Sequence, residues 1–241
     1  MNELQNTEGT FIRDANLENF LRFGAYPCIY GMTEQNQKIE LECLVNDYLY
    51  KDILAFENIK HSSQISELLQ CLAFRIGSLV SFNELSNNLS ISKNTVKKYI
   101  DLLEKCYVIF TLPAFSGNLS NEIGKDRKRK IFFYDVGIRN ALIGNYQFMK
   151  FRTDAGGIWE NFCISELIKK AQEEQRRPRQ YFWRNYEGKE VDFIEEEDGE
   201  LTAYKFKYSQ DKKAILPKDF EKTYNVKSFH VVTNKNWIEY F

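Results

Sequence analysis

The sequence has no apolar run long enough to span a bilayer, and its opening, Met1-Asn2-Glu3-Leu4, lacks the pattern of a signal peptide. These absences lead to the expectation of a cytoplasmic protein with no membrane partner. It also has no CxxC pair. Its five cysteines, Cys28, Cys43, Cys71, Cys106 and Cys163, are odd in number and sit among apolar neighbours, which predicts reduced core thiols. With only two histidines, His61 and His230, neither near a cysteine cluster, a zinc site is not expected. An excess of one charge is missing too: the formal net charge is −1, so no global basic field exists and nucleic-acid binding would have to come from local patches. Repeats and low-complexity tracts are absent.

What is present is a globular composition, 43% hydrophobic and 28% charged, in 241 residues, enough for one large domain or two modest ones. Aromatic residues at 15% favour β-structure and dense cores. Residues up to about Glu40 read as a lead-in with turns at Gly24, Pro27 and Gly31. Helical spacing then predicts a helix from about Glu40 to Phe56 and a cleaner one from about Gln64 to Ile76.

Leu79 to Phe115 is the first stretch with a functional signal. A short helix from Phe82 to Leu89 is followed by a tight Ser90-Ile91 connection, and Ser92 caps a longer helix. Val96, Tyr99, Ile100 and Leu103 of that helix form the inward stripe, leaving Lys93, Asn94, Lys97 and Lys98 outward near its start. This pattern predicts a helix-turn-helix. Tyr107–Pro113 and Lys130–Asp135 read as the strands of a following hairpin, which makes it winged. The intervening loop and its end, Lys125-Asp126-Arg127-Lys128-Arg129-Lys130, carry five positive charges in six residues. That density suits counterion-releasing contact with phosphates, and Arg127, Lys128 and Arg129 join the candidate nucleic-acid contacts. A solvated wing, or a winged helix that only packs or docks on protein, explains the same charges and stays open. Gly137–Gly144 reads as a short helix, and Thr153–Gly157 as a domain boundary.

Beyond it, a helix is expected from Ile158 to about Glu174, interrupted by Glu160 and Glu166. Strands are expected at Tyr181–Arg184, Lys189–Glu195, Leu201–Tyr208 and Phe229–Val232, with Asp198-Gly199 as a hairpin turn and Trp237–Phe241 as a last short strand. Strict alternation would put Val191 and Phe193 on one face and Glu190 and Asp192 on the other, the latter pair near Lys205 and Lys207. With Glu160 from the helix, carboxylates and lysines gather in one place. Such a set suits magnesium-dependent phosphodiester hydrolysis, the oxygens holding the hard cation and a lysine stabilising charge on the phosphate. A cross-strand salt-bridge ladder accounts for the same residues.

Several ordered landmarks carry a family resemblance over nearly the whole chain. They are Phe20-Leu21-Arg22-Phe23-Gly24-Ala25-Tyr26-Pro27, Phe133-Tyr134-Asp135-Val136-Gly137-Ile138-Arg139-Asn140-Ala141-Leu142, Trp159-Glu160-Asn161-Phe162, and Phe182-Trp183-Arg184 with Glu190-Val191-Asp192-Phe193. These resemble the C-terminal region, a domain of unknown function, that follows the ATPase domain in many prokaryotic AAA-type ATPases. The resemblance implies an α/β (α+β) chain: a helical lead-in over 1–78, a winged helix-turn-helix over 79–152, and a restriction-endonuclease-like mixed-sheet domain of the PD-(D/E)xK type over 153–241. It further implies that Glu160 matches the helix carboxylate, Asp192 the core acid and Lys207 the core lysine, with Glu160 and Asp192 as metal ligands and Glu190 as a substitute ligand. Lys205 stands where the pattern has an acid, which sets a positive charge against any bound ion.

No P-loop is present. The nearest candidate, Gly117…Gly124-Lys125-Asp126, has six residues between its glycines and an aspartate after its lysine. ATP is therefore expected only in an upstream ATPase domain of the same protein. The expected function is a DNA- or RNA-binding effector region with a degenerate nuclease-like site and no certain cofactor. The alternatives are an active magnesium-dependent endonuclease and a protein-interaction or self-assembly module built on Trp237, Tyr240 and Phe241.

Overall fold

The computed structural model describes residues 10–49, 62–116, 129–209 and 214–241. It is a mixed α+β fold: helices, then a three-stranded sheet, then a four-stranded mixed sheet with one long helix across it. No helix among the described residues is long and apolar enough to cross a membrane.

The expected lead-in is more ordered than its turns suggest. Helix α1 (Thr10–Phe23) buries Leu17, Phe20 and Leu21 at helical spacing. Helix α2 (Glu34–Cys43) starts well before Glu40 because Thr33 caps it, its hydroxyl accepting from Asn36 N. It runs on as a π-helical turn, Leu44–Leu49; the remainder of the helix expected to reach Phe56 lies outside the described residues.

Helix α3 (Ser62–Phe74), strand β1 (Leu79–Val80), helices α4 (Phe82–Leu89) and α5 (Lys93–Lys105), and strands β2 (Ile109–Pro113) and β3 (Arg129–Phe133) follow in the order of a winged helix, with β1 and β2 flanking β3. Ser90 takes the left-handed conformation that ends α4, and Ser92 Oγ accepts from Thr95 N at 3.0 Å to start α5. Val96, Tyr99, Ile100, Leu102 and Leu103 are buried against α3 and α4 in a core that also takes in Phe23, Ile29 and Leu41, so the lead-in and the winged helix share one apolar interior. Asp135, read as the end of a strand, is instead the N-cap of helix α6 (Val136–Leu142).

Strand parity gives the three-stranded sheet two buried faces. Ile131 and Phe133 face the winged-helix core, whereas Phe132, Phe110 and Leu112 face a second core built on helix α7 (Ala155–Glu173). The glycines of the segment read as a domain boundary lie in the first turn of α7. A Cβ on Gly157 would lie 3.0 Å from the Ile76 carbonyl, so the helix end could not approach the α3–β1 turn with a larger residue there.

Strands β4 (Arg179–Arg184), β5 (Glu190–Glu197), β6 (Glu200–Lys207) and β7 (Val226–Thr233) form the second sheet in that order, β6 and β7 being parallel. Asp198 and Gly199, both at positive φ, make the two-residue turn between β5 and β6. Helix α7 covers one face, and helix α8 (Lys218–Thr223), which the sequence reading missed, covers the other. The last segment is a 3-10 turn, Trp237–Glu239, and not a strand. Trp237 and Phe241 are buried against Phe162, which removes them as a surface for pairing with a partner. The two sheets meet where Phe115 N donates to Phe182 O at 2.7 Å, laying the end of β2 along the edge of β4.

Candidate functional site: an acid–lysine cluster at the seam

The landmark Trp159-Glu160-Asn161-Phe162 lies where α7 meets both sheets, and each residue serves a different neighbour. Trp159 Nε1 donates to Val232 O of β7 at 3.4 Å, and Phe162 packs on Trp237 and Phe241. Asn161 is fully buried. Its Nδ2 donates to Phe133 O and its Oδ1 accepts from Phe133 N, both at 2.7 Å, satisfying the edge of β3 that β1 does not reach. Glu160 points at the seam between the sheets.

Three carboxylates converge there. One oxygen each of Glu160 (α7), Glu190 and Asp192 (β5) lies within 4.8 Å of the others. The geometry that achieves this differs from the expected alternation. Between Val191 and Ile194, β5 holds one residue more than β4 opposite it, a β-bulge. Val191 therefore packs on the α8 side with Ile194, and Phe193 on the α7 side, so Val191 and Phe193 do not share a face. The ladder between β5 and β6 runs from the turn to the Phe193–Tyr204 pair, and Asp192 Oδ2 accepts from Phe206 N at 2.8 Å just past it.

Two lysines pair with the cluster. Lys205 pairs with Asp192 Oδ1 and donates to Glu190 O at 3.1 Å. Lys130, in β3, places its Nζ 2.6 Å from Glu160 Oε1 and pairs also with Glu190 Oε1, with Phe182 below it. It is 2% exposed. The sequence reading counted Lys130 with the wing's positive charges; its parity with Phe132 sends it inward instead, and that parity was the signal available. Arg184 Nη1 lies 3.8 Å from Glu190 Oε2. The side chain of Lys207, in register with Thr233 on the same strand face as Lys205, forms no ion pair or hydrogen bond among the described residues. Burial pushes Glu160 up to about 7, Lys130 opposing this and Asp192 adding to it.

A magnesium ion would want such hard oxygens. As arranged, each of the three carboxylates already holds an ammonium, and Lys130 lies between two of them, so the cluster does not fit a divalent cation and no hydrolytic step is derived through one.

Of the proposed nucleic-acid contacts, Asn94 and Lys98 on α5 are exposed and Lys93 and Lys97 half-buried, all away from the inward stripe. The Arg129 guanidinium lies over the Phe82 ring, 5.4 Å from its centroid, and so is partly engaged by α4. Arg127 and Lys128 lie outside the described residues. None of the five cysteines is in a disulfide; Cys163 is buried and Cys71 and Cys106 pack partly buried against the winged-helix core, whereas Cys28 and Cys43 are exposed, so the core reading fails for those two.

The other landmarks are joints. Asp135 Oδ1 accepts from Gly137 N and Ile138 N, and its Oδ2 from Ala25 N, while a Cβ on Gly24 (φ +79°) would collide with that carboxylate. Asn140 donates to Leu21 O and Arg22 O.

Fold and seam together define an α+β protein in which a winged-helix arrangement is ion-paired to a helix-covered mixed sheet. The chain belongs to the family described as Domain of unknown function (DUF8612), whose profile matches residues 14–148. Residues 155–239 match a second profile, Domain of unknown function (DUF4143). Among curated proteins, Uncharacterized protein Rv2008c of Mycobacterium tuberculosis is 23% identical over 213 residues, covering 85% of this chain and 46% of its own length. Uncharacterized protein MJ1637 of Methanocaldococcus jannaschii is 27% identical over 133 residues, covering 54% and 28%. An uncharacterized protein of Haemophilus influenzae is 23% identical over 193 residues, covering 78% and 45%. The matched part is thus less than half the length of each of these relatives. A solved structure of a mutant of MepR from a multidrug-resistant S. aureus clinical isolate overlaps 60% of this chain and 99% of its own at 12% identity and a TM-score of 0.27, too loose a superposition to carry any argument.

Proposed function

We propose that this chain is the nucleic-acid-binding C-terminal effector region of a cytoplasmic, prokaryotic AAA-type ATPase, with a nuclease-like second lobe that does not cleave. The observation that carries the reading is α5: a capped helix in a helix-turn-helix whose buried stripe leaves Lys93, Asn94, Lys97 and Lys98 on the outer side of its first two turns. Lysines there can neutralise phosphates and release counterions, giving salt-sensitive and largely sequence-independent affinity. The match of residues 155–239 to a region known from AAA-ATPase-like proteins, in relatives about twice as long as the matched part, supports an upstream ATPase partner in the full protein. The break between the two family matches, 148 to 155, supports dividing the chain near residue 153, with the lead-in (1–78) and winged helix (79–152) before it. The order α7-β4-β5-β6-α8-β7 supports likening the second lobe to PD-(D/E)xK nucleases, and the ion-paired acids argue against cleavage.

Fluorescence anisotropy with a random 20-base-pair duplex and the matching single-stranded RNA tests this. Binding should weaken steeply as salt rises and fall at least tenfold in the Lys97→Glu/Lys98→Glu protein; equal affinity in that variant would remove the reading. The convergence of three carboxylates favours one rival, a magnesium-dependent endonuclease using Glu160, Glu190, Asp192 and Lys207. It predicts nicking of supercoiled plasmid in magnesium; none is expected.

A further inference from the structure

We propose that the Lys130 ammonium is a tethered substitute for a divalent cation: while β3 is docked on α7, the acid cluster holds no metal, and Lys130, rather than Lys205, enforces this. The inference rests on reading the second lobe as nuclease-like and assigns to that lobe a control residue supplied by the winged-helix side.

Three features set Lys130 apart from Lys205. Its backbone is held from both sides, paired with Leu79 of β1 and Leu112 of β2, and the next residues are fixed by the Asn161 clamp on Phe133, so the position of Nζ is set by the sheet rather than by a flexible stem. Its side chain is 3% exposed against 20% for Lys205, and its neighbours on the same face, Phe132 and Leu112, are apolar, so it has no route to water that keeps β3 in place. It also bridges carboxylates from two elements, Glu160 on α7 and Glu190 on β5, which is the bridging role a cation takes in such a set, whereas Lys205 serves one carboxylate and a carbonyl. A lysine this buried is rare unless paired, and here the partners are the groups a metal would need. Three carboxylates against two ammonium groups leave one negative charge; removing Lys130 leaves two and empties the space between Glu160 and Glu190.

Docking of β3 and metal binding are therefore mutually exclusive. Undocking the strand would expose a divalent-cation site, and docking it would close one.

The test uses the 241-residue protein with manganese alone, free Mn²⁺ being followed by its electron paramagnetic resonance signal. The unaltered protein should leave the signal as in buffer at millimolar metal. Lys130→Met, which keeps the apolar stem, should bind one ion at least tenfold more tightly, and Lys130→Met/Glu160→Gln should lose that binding. Lys205→Met should stay metal-free because Lys130 remains. Tight binding by the unaltered protein, binding by Lys205→Met, or no binding by a Lys130→Met protein whose circular dichroism shows it folded would each overturn the proposal. The first two outcomes are decisive even if Lys130→Met does not fold. Anisotropy of the unaltered protein with duplex DNA separates this from the nucleic-acid reading: that reading fails on α5, and the manganese result does not depend on it.

Discussion

Two charged clusters are buried at joints of this molecule, and they are balanced in opposite directions. Near the start of α7, one carboxylate meets two guanidinium groups: Asp154 accepts from Arg152 Nε at 2.8 Å and pairs with Arg139 Nη1 at 2.6 Å, while the two arginines also donate to Asn140 Oδ1, Ala73 O and Asn145 O. Burial alone would raise Asp154, but the two arginines outweigh it and hold the carboxyl down at about 2. Six residues further on, three carboxylates share two lysines, and Glu160 is pushed up to about 7. The first cluster has the composition of a structural joint: its one excess charge sits on guanidinium groups that also donate to the neutral oxygens of Asn140, Ala73 and Asn145. The second carries an excess of acid that stability does not require, the pattern expected of a site kept or inherited for binding. Breaking the first should therefore cost far more than breaking the second. Asp154→Asn leaves two buried guanidinium groups without a counter-charge and should lower stability by about 3–5 kcal/mol in urea unfolding at neutral pH. A loss of less than about 1 kcal/mol would show that the joint is not where the lobes are held.

Next in size is the neutral part of the seam. Asn161→Ala orphans the buried N–H and C=O of Phe133, each worth roughly 1–3 kcal/mol when left unsatisfied, so a combined loss of at least about 2 kcal/mol is expected. Because the clamp is between α7 and β3, amide exchange at Phe132 and Phe133 should accelerate more than exchange in α4 and α5. Uniform acceleration would mean that the two lobes unfold as one and that the clamp is not a separate joint.

How readable these features are from the sequence depends on their range. The α4–turn–α5 unit, its Ser92 cap and the Asp198-Gly199 hairpin depend on residues a few positions apart, and their periodicity and turn chemistry are visible. That Glu160, Glu190 and Asp192 come together was also legible, since a helix and a hairpin that follow one another in sequence usually pack. The counter-ion was not. Lys130 lies in a basic run and reads as wing; only the fact that β3 is covered on both faces makes its parity with Phe132 decisive, and that cover comes from α7, far along the chain. The bulge in β5 was invisible for a different reason: Glu190-Val191-Asp192-Phe193-Ile194 alternates cleanly on paper, and nothing local marks the extra residue that separates Val191 from Phe193. Asn161 and Arg139 stand in the landmarks of the resemblance, but their roles are not legible locally because their partners, Phe133 and Ala73, belong to other elements.

The smallest expected effect is the most diagnostic, because it reverses sign between the clusters. Asp154 has a depressed carboxyl, so its contribution is present above the unfolded value near 3.8 and is lost as pH falls through about 2. Glu160 has a raised one, so the folded state binds its proton more tightly; that contribution is full below the unfolded value near 4.5 and is lost as pH rises through about 7. Glu160→Gln fixes the neutral form and should flatten the decline between those two values. The variant should match the unaltered protein near pH 4.5 and exceed it by about 1 kcal/mol at pH 8, less than the full linkage because Lys130 keeps only Glu190 as a partner. Urea midpoints at four or five pH values would measure it. A difference that stays constant across the range, or that favours the unaltered protein increasingly as pH rises, would mean that the ionised carboxylate is a net stabiliser. The seam cluster would then be a second structural joint, and the contrast with Asp154 would disappear.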